Sequence, residues 1–143
     1  MILHGRDSEV ADWYAAKLEI PVCPYHGAIG LLDENGVLRG AVLLTLVNAN
    51  SAHSDIYSEL PSLAPYARGV FSWMFEYTNR VTAVTGIKNK KMKRHLPRLG
   101  FEFEGRKKDW YGVGQDGLEF RMMRHNCKWI RDDGQDTRRA RAA

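Results

Sequence analysis

Two carboxylates, Asp55 and Glu59, alternate with His53 and Tyr57 along one short stretch of the chain. Successive side chains of a β-strand point to opposite faces, so in a strand these four residues share one face. A carboxylate on such a face can accept a proton from a reacting amine, directly or through a water molecule. The same alternation is typical of a solvated strand face, and that alternative stays open.

Positive charge is concentrated in one segment. Residues 1–87 carry five basic and nine acidic groups, residues 88–108 carry nine and two, and residues 109–143 carry seven and six. The net charge of +4 is therefore what remains of opposed local charges. Six basic residues with no acidic one between positions 88 and 98 indicate an anionic partner, such as a phosphorylated ligand or nucleic acid. For any single lysine, a solvated helix surface is the alternative.

Other chemistry-bearing residues give weaker signals. Trp110 and Tyr111 lie in a predicted loop and are candidates for substrate contact, although loop anchoring is the commoner role of such aromatics. Cys23 and Cys127 cannot form a disulfide framework and suit a reducing cytoplasm. No set of His, Cys or carboxylate residues has the spacing of metal ligands, so no metal is predicted.

The elements that position these residues follow from periodicity and from local capping signals. The pattern predicts helices at 8–19 and 66–77 and strands at 28–32, 37–47, 51–60, 80–87, 101–108 and 118–124. Ser8 is the expected N-cap of the first helix, and Asn89 and Gly100 are expected to cap and close a short third helix. Asn35-Gly36 predicts a type I′ hairpin turn. The strand after the second helix is expected to be the parallel one.

Inward-facing positions of the last two strands are expected at Phe101, Phe103, Phe120 and Met122. The chain has 143 residues, with 44% hydrophobic and 27% charged residues, which is typical of one globular domain, predicted at 1–130. The tail at 131–143 has no apolar pattern and is predicted to be disordered. No apolar run is long enough to span a membrane and no signal peptide is recognised, so a cytoplasmic protein is expected.

Three segments of the second half carry a resemblance to a known family. They are residues 68–75 at the second helix, residues 89–92 at the start of the third, and residues 99–105, where Leu99-Gly100-Phe101 precedes Glu104-Gly105. Together they resemble the GNAT superfamily of acyl-CoA-dependent N-acetyltransferases. Residues 120–130 are further similar to small GNAT proteins encoded by bacteriophages and prophages. The likeness covers nearly the whole chain to residue 130.

The resemblance implies a fold and a reaction. The fold is α/β, a mixed, mainly antiparallel sheet with helices on both faces and a splayed parallel strand pair. The reaction is transfer of an acetyl group from acetyl-CoA to a primary amine of a small molecule or protein, in enzyme class EC 2.3.1. Backbone amides before the second helix would bind the coenzyme A pyrophosphate, and pantetheine would pair with the end of the third strand. The cofactor-binding positions implied in this way are Leu60, Arg68, Gly69, Val70, Phe71, Asn89 and Lys91.

Catalytic positions follow from the same resemblance. Glu59 is the first choice as general base because it is nearest the expected cofactor loop, and Asp55 is the second. The family's tyrosine that protonates the leaving thiolate falls on Leu96, so His95 or water would have to supply that proton. Tyr57, Trp110 and Tyr111 are the expected acceptor contacts.

The chain also departs from the family, and this keeps several functions open. Of the three anchor positions of the phosphate loop only Gly69 matches, because Tyr66 and Phe71 stand at the others. The first hypothesis is the N-acetyltransferase. The alternatives are a phage enzyme that modifies nucleic-acid bases, and an interaction protein that keeps the fold while its donor site has decayed. A monomer or homodimer without a membrane partner is expected, in the host cytoplasm if phage-encoded.

Overall fold

A computed structural model describes residues 1–130 of the chain, and the tail predicted at 131–143 lies outside the described residues. The elements, in chain order, are β1 (Ile2–Leu3), α1 (Asp7–Leu18), β2 (Gly27–Leu32), β3 (Leu38–Leu46), β4 (Ser51–Ser58), α2 (Ala64–Met74), β5 (Arg80–Gly86), α3 (Lys90–Leu99), β6 (Glu102–Gly112), β7 (Gln115–Met123) and a final 3-10 turn (Arg124–Asn126). None of the described helices is long and apolar enough to cross a membrane.

The seven strands form one sheet in the order β1-β2-β3-β4-β5-β7-β6. β4 and β5 are parallel neighbours, joined by the α2 crossover, and all other neighbours are antiparallel. The predicted α/β fold class, with its single parallel pair at the strand after the second helix, is confirmed.

Helices cover both faces of the sheet. The larger core packs α2 and α3 against one face, with Phe71, Met74 and Leu96 almost fully buried among the inward residues of β2 to β7. A smaller cluster packs α1 against the other face through Val10 and Ala11. The middle strands β2 and β3 are buried on both faces, which explains their low polarity.

Local signals in the sequence predicted several element ends correctly. The Asn89 side chain accepts a hydrogen bond from the Met92 N–H at 3.1 Å, and Gly100 ends α3 with φ at 106°. The hairpin between β2 and β3 is present, but the type I′ turn is wrong because only Gly36 has positive φ. Instead, the Asp33 carboxylate accepts from the backbone N–H of Asn35 and Val37 at 2.8 and 2.9 Å.

Three further expectations differ in part from the structure. α1 begins at Asp7, before the predicted cap Ser8, and the Asp7 carboxylate instead accepts from the Ala28 N–H of β2 at 3.0 Å. Phe103 lies opposite the buried Phe120, with ring centroids 5.8 Å apart, so it shares the inner face as expected, but it is 56% exposed because β6 is an edge strand. α2 begins at Ala64, two residues before the predicted start, with Pro65 in its first turn.

The β6–β7 hairpin contains a wide bulge that the sequence did not predict. Lys107 pairs with Gly117 and Gly112 with Gln115, so four residues of β6 lie opposite one residue of β7. The bulge is held by the Asp116 carboxylate, which accepts from the Asp109 N–H at 2.8 Å, while Asp109 itself adopts a φ of 54°. Trp110 and Tyr111 are therefore residues at the end of a strand rather than loop residues.

Candidate active site

A cleft crosses the sheet where β4 and β5 separate. Their parallel pairing covers only Ser51–Ser54 of β4 and residues 80–83 of β5. Beyond these residues, β4 still pairs with β3 and β5 still pairs with β7, but β4 and β5 no longer pair with each other. The resulting cavity, called the sheet cleft below, has a volume of about 370 Å³. It is lined by Tyr14, Leu18, Ser54, Asp55, Ile56, Tyr57, Ala83, Val84, Thr85, Gly86, Asn89, Met92, Leu96, Trp110 and Tyr111.

Asp55 is the carboxylate of the sheet cleft. It directly follows the last β4 residue that pairs with β5, and its side chain is 44% exposed. His53 lies beside it on the same strand face, with Nε2 at 3.3 Å from the Asp55 Oδ1 and Nδ1 at 3.1 Å from the Thr82 hydroxyl. Asp55 is thus held by a side chain that is itself fixed to β5.

Aromatic rings surround Asp55 on the α1 side. Tyr14 from α1, Tyr57 from β4, and Trp110 and Tyr111 from the bulge all line the sheet cleft. Burial, and then the negative charge of Asp55, raise the pKa of Tyr14 well above its usual range and raise that of Tyr111 in the same direction. Both phenols therefore stay neutral at physiological pH and can donate hydrogen bonds. The Tyr111 hydroxyl donates to the Val84 carbonyl at 3.1 Å.

Glu59, the first choice as general base, lies outside the sheet cleft. Its carboxylate is 3.0 Å from Lys17 Nζ and 3.7 Å from Arg39 Nη1, and it accepts from the Tyr57 hydroxyl at 3.3 Å. The hydrogen bond from Lys17 is the main cause that holds the pKa of Glu59 below its usual range. A carboxylate tied to two cations is a poor proton acceptor, and the structure therefore favours Asp55 over Glu59.

The expected phosphate-binding residues lie inside α2. The four residues Arg68, Gly69, Val70 and Phe71 follow the helix start at Ala64 by four to seven positions, so their amides belong to the helix interior. Val70 and Phe71 face the core, and a Cβ at Gly69 would clash with the Cδ1 of Ile2. A phosphate loop at these four residues stays a prediction from the sequence, and their place within α2 weighs against it.

The actual start of α2 offers few amides to an anion. The Ala64 N–H donates to the Ser62 hydroxyl at 3.2 Å, the Tyr66 N–H donates to the Leu63 carbonyl at 3.0 Å, and Pro65 has no N–H. The N–H of Leu60, another expected cofactor contact, donates to the Ser58 hydroxyl at 3.0 Å. This end of the helix does not fit the amide cradle that the resemblance implied.

α3 approaches the sheet cleft from the opposite side to α1. Asn89, Met92 and Leu96 line it, and Leu96 is fully buried at the position where the family has its tyrosine. Lys91 is not part of the cleft lining, but it reaches the end of β4, where its Nζ donates to the carbonyl of Ser58, the last residue of that strand, at 3.1 Å. His95 is absent from the cleft lining. Burial and the neighbouring cations lower the pKa of His95, so it is neutral at physiological pH.

The cations of α3 have no acidic partner among the residues that the structure describes. Within residues 1–130, none of the ion pairs includes Lys88 or any of the α3 cations Lys90, Lys91, Lys93, Arg94 and Arg98. A neighbouring groove of about 810 Å³ between Lys88 and the β6–β7 hairpin shares Gly86, Asn89 and Tyr111 with the sheet cleft. In the same described part of the chain, no three metal-ligating side chains form a group.

Tyr14 and Thr85 are among the residues of the sheet cleft that sequence reasoning did not select. Tyr14 belongs to the apolar stripe of α1 and carried no functional signal of its own. Thr85 sits in a β-branched strand, where a threonine is indistinguishable from any other strand former. By contrast, Asp55, Tyr57, Asn89, Trp110 and Tyr111 were selected from the sequence, and the fold brings all five to one cavity.

The fold matches those of solved acetyltransferase structures. The ribosomal-protein-S5-alanine acetyltransferase from Vibrio fischeri aligns with a TM-score of 0.59 and 19% identity, over 82% of this chain and 68% of its own. The spermidine/spermine N-acetyltransferase of Vibrio cholerae aligns with a TM-score of 0.58 and 17% identity, over 82% of this chain and 74% of its own. A GNAT-family acetyltransferase from Bacillus anthracis aligns with a TM-score of 0.58 and 13% identity, over 68% of this chain and 66% of its own.

At identities below 25%, these structural alignments show that the chain shares the GNAT fold and nothing beyond the fold. It spans 64% of the length of mutant forms of the Vibrio cholerae enzyme, and 68%, 66% and 74% of the three structures named above. No protein-family model matches the chain, and no curated protein matches it.

Proposed function

We propose that this chain is an N-acyltransferase that transfers an acetyl group from acetyl-CoA to a primary amine. The observation that carries the proposal is the sheet cleft, which opens through the sheet between β4 and β5. Asp55 and four aromatic rings lie on its α1 side, and Asn89 and Leu96 lie on its α3 side. An acceptor and a donor can therefore approach each other from opposite faces of one sheet.

The donor side suits an extended thioester arm. Residues 55–58 of β4 and 84–86 of β5 have no strand partner across the cleft, so a pantetheine arm can pair with their backbone as an added strand does. A bound acyl thioester supplies an electrophilic carbonyl carbon and a thiolate leaving group. Because the first three residues of α2 present no free N–H, we assign the phosphate end to side-chain cations, with Lys91 at the end of β4.

Asp55 serves as the general base, and His53 holds it in place. The ammonium group first releases one proton to solvent, and the neutral amine then loses a second proton to Asp55 as its nitrogen bonds to the carbonyl carbon. The C–S bond breaks, and the electron pair of that bond leaves on sulfur. The thiolate takes a proton from solvent. The products are an amide and a thiol. Thr82 fixes His53 from β5 at 3.1 Å, so the strand that separates from β4 also positions its base.

The acceptor is a cationic amine on an apolar or aromatic body. Rings of Tyr14, Tyr57, Trp110 and Tyr111 offer faces that attract an organic ammonium group, and Asp55 offers the opposite charge. The Vibrio cholerae neighbour is named for spermidine and spermine, which are cationic amines of this kind. A small-molecule amine therefore fits the site more directly than an amine within a folded protein.

A second candidate is an anion-binding interaction protein whose donor site has decayed. The observation that favours it is the start of α2, where the first three residues present no free N–H to a phosphate. The unpaired cations of α3 would then bind nucleic-acid phosphates. Phage or prophage origin, base modification and a cytoplasmic location stay predictions from the sequence.

Calorimetry with acetyl-CoA and with a short DNA duplex, each at two salt concentrations, separates these candidates. Acetyl-CoA binding, followed by thiol release with a panel of primary amines, is expected for the acyltransferase. Tight duplex binding that falls steeply with salt, without acetyl-CoA binding at millimolar ligand, would replace it with the second candidate.

A further inference from the structure

Thr85 faces the α3 side of the sheet. Val81 and Ala83, which precede it by four and two positions on β5, both belong to the core packed under α2 and α3. The two-residue repeat of a strand places Thr85 on the same face. Thr85 is 4% exposed and belongs to the residues that line the sheet cleft, as does Leu96.

The hydroxyl of Thr85 has no hydrogen-bond partner. Among residues 1–130, its Oγ1 is the one buried side-chain oxygen or nitrogen left without one. The comparable buried hydroxyls are all paired: that of Ser54 donates to the Thr82 carbonyl at 3.0 Å, and that of Thr78 to the Asn50 carbonyl at 2.8 Å. A buried hydroxyl without a partner costs free energy that an isosteric valine would avoid.

The position of the hydroxyl points to a ligand atom. Asp55 lies one residue beyond the last paired position of β4, and Thr85 lies two residues beyond the last paired position of β5, on opposite faces of the sheet. The amine and the leaving group occupy different sides of a carbonyl carbon under attack. With the amine at Asp55, the leaving group lies toward α3, where Leu96 and Met92 carry no hydrogen-bond donor and the Asn89 amide and the Thr85 hydroxyl do.

We infer that the Thr85 hydroxyl donates a hydrogen bond to the sulfur of the acyl thioester and stabilises the thiolate as it leaves. This role rests on the proposed function. The C–S bond breaks, its electron pair stays on sulfur, and Thr85 keeps its proton while the thiolate is protonated by solvent. Removing one such preorganised donor from a transition state typically costs a hundredfold or more, and a weaker acceptor such as sulfur lowers this to about tenfold to a hundredfold.

The test compares Thr85→Val, Thr85→Ser and the matched control Thr78→Val. Thr78 is buried to the same 4% exposure, but its hydroxyl is paired far from the cleft. Without ligand, Thr85→Val is expected to keep or raise the melting temperature, whereas Thr78→Val lowers it. With acetyl-CoA, Thr85→Val is expected to lose about tenfold to a hundredfold in kcat with little change in amine KM, and Thr85→Ser to stay within about threefold.

Calorimetry gives a readout independent of turnover. Acetyl-CoA is expected to bind Thr85→Val more weakly than wild type, while an analogue with a methylene group in place of sulfur binds both equally. An active wild type with an unchanged Thr85→Val variant, or a Thr85→Val variant destabilised as much as Thr78→Val, would overturn the role of Thr85 alone. A wild type that neither binds nor uses acetyl-CoA would overturn the proposed function and this role together.

Discussion

Replacing Asp55 by asparagine tests the central assignment of the site. The change keeps the shape of the side chain and an oxygen that His53 can contact, but it removes the proton acceptor. General-base catalysis is typically worth about a hundredfold to ten-thousandfold in rate. Because 44% of the Asp55 side chain is exposed, water can replace part of its role, and the lower end applies. A hundredfold loss of kcat/KM corresponds to about 2.7 kcal/mol of transition-state stabilisation.

The assay is thiol release from acetyl-CoA with one accepted amine, followed over a range of pH. Asp55→Asn is expected to lose about a hundredfold in kcat/KM and the acid limb of the pH profile, which reports the essential base. Glu59→Gln is the matched control, since Glu59 is tied to Lys17 and Arg39 outside the sheet cleft, and it is expected to stay within about threefold. The reverse pattern, a large loss at Glu59 and none at Asp55, would refute the reasoning.

Three further predictions concern the frame of the site. Gly69→Ala is expected to gain up to about 1 kcal/mol of helix propensity, because the atom in its way is the flexible end of the Ile2 side chain, and to leave acetyl-CoA affinity unchanged in calorimetry, unlike a phosphate-loop glycine. Lys91→Met is expected to weaken acetyl-CoA binding and its salt dependence but not the binding of acetyl-pantetheine, which lacks the adenosine phosphates; equal losses for both would contradict the assignment. The Asp109 N–H and Arg106 lower the pKa of Asp116, so its stabilisation of the bulge is present above its ordinary pKa of 3.8 and is lost as the pH falls through the lower folded-state value. Trp110 fluorescence at room temperature should report this acid transition. Asp116→Asn should show the low-pH fluorescence signal already at pH 7.

The sequence was informative where the chemistry is local. Asn89 and Gly100 were predicted as the ends of α3 because a cap and a left-handed glycine act within a few residues of the chain. The start of α2 was predicted too late, although Pro65 is typical of a first helical turn.

Long-range pairing decided the features that the sequence did not predict. The choice between Glu59 and Asp55 depends on Lys17 and Arg39, which come from α1 and β3. The bulge that contains Trp110 depends on a β7 carboxylate, and the missing partner of Thr85 depends on the whole packing under α3. Local patterns in the sequence cannot predict these features, because each depends on how separate elements pair or pack in the folded chain.

Only four residue pairs join β4 to β5, and they are the connection between two parts of the sheet. This ladder is the shortest in the interior of the sheet, and it joins a half-sheet of β1 to β4 with a half-sheet of β5 to β7. A ligand seated between the separated strand ends adds hydrogen bonds between the two halves, so its binding energy becomes resistance to their separation. At a hundred times its dissociation constant, such a ligand adds about 2.7 kcal/mol to the free energy of unfolding. A ligand bound in the cleft would therefore also stabilise the contact between the two half-sheets.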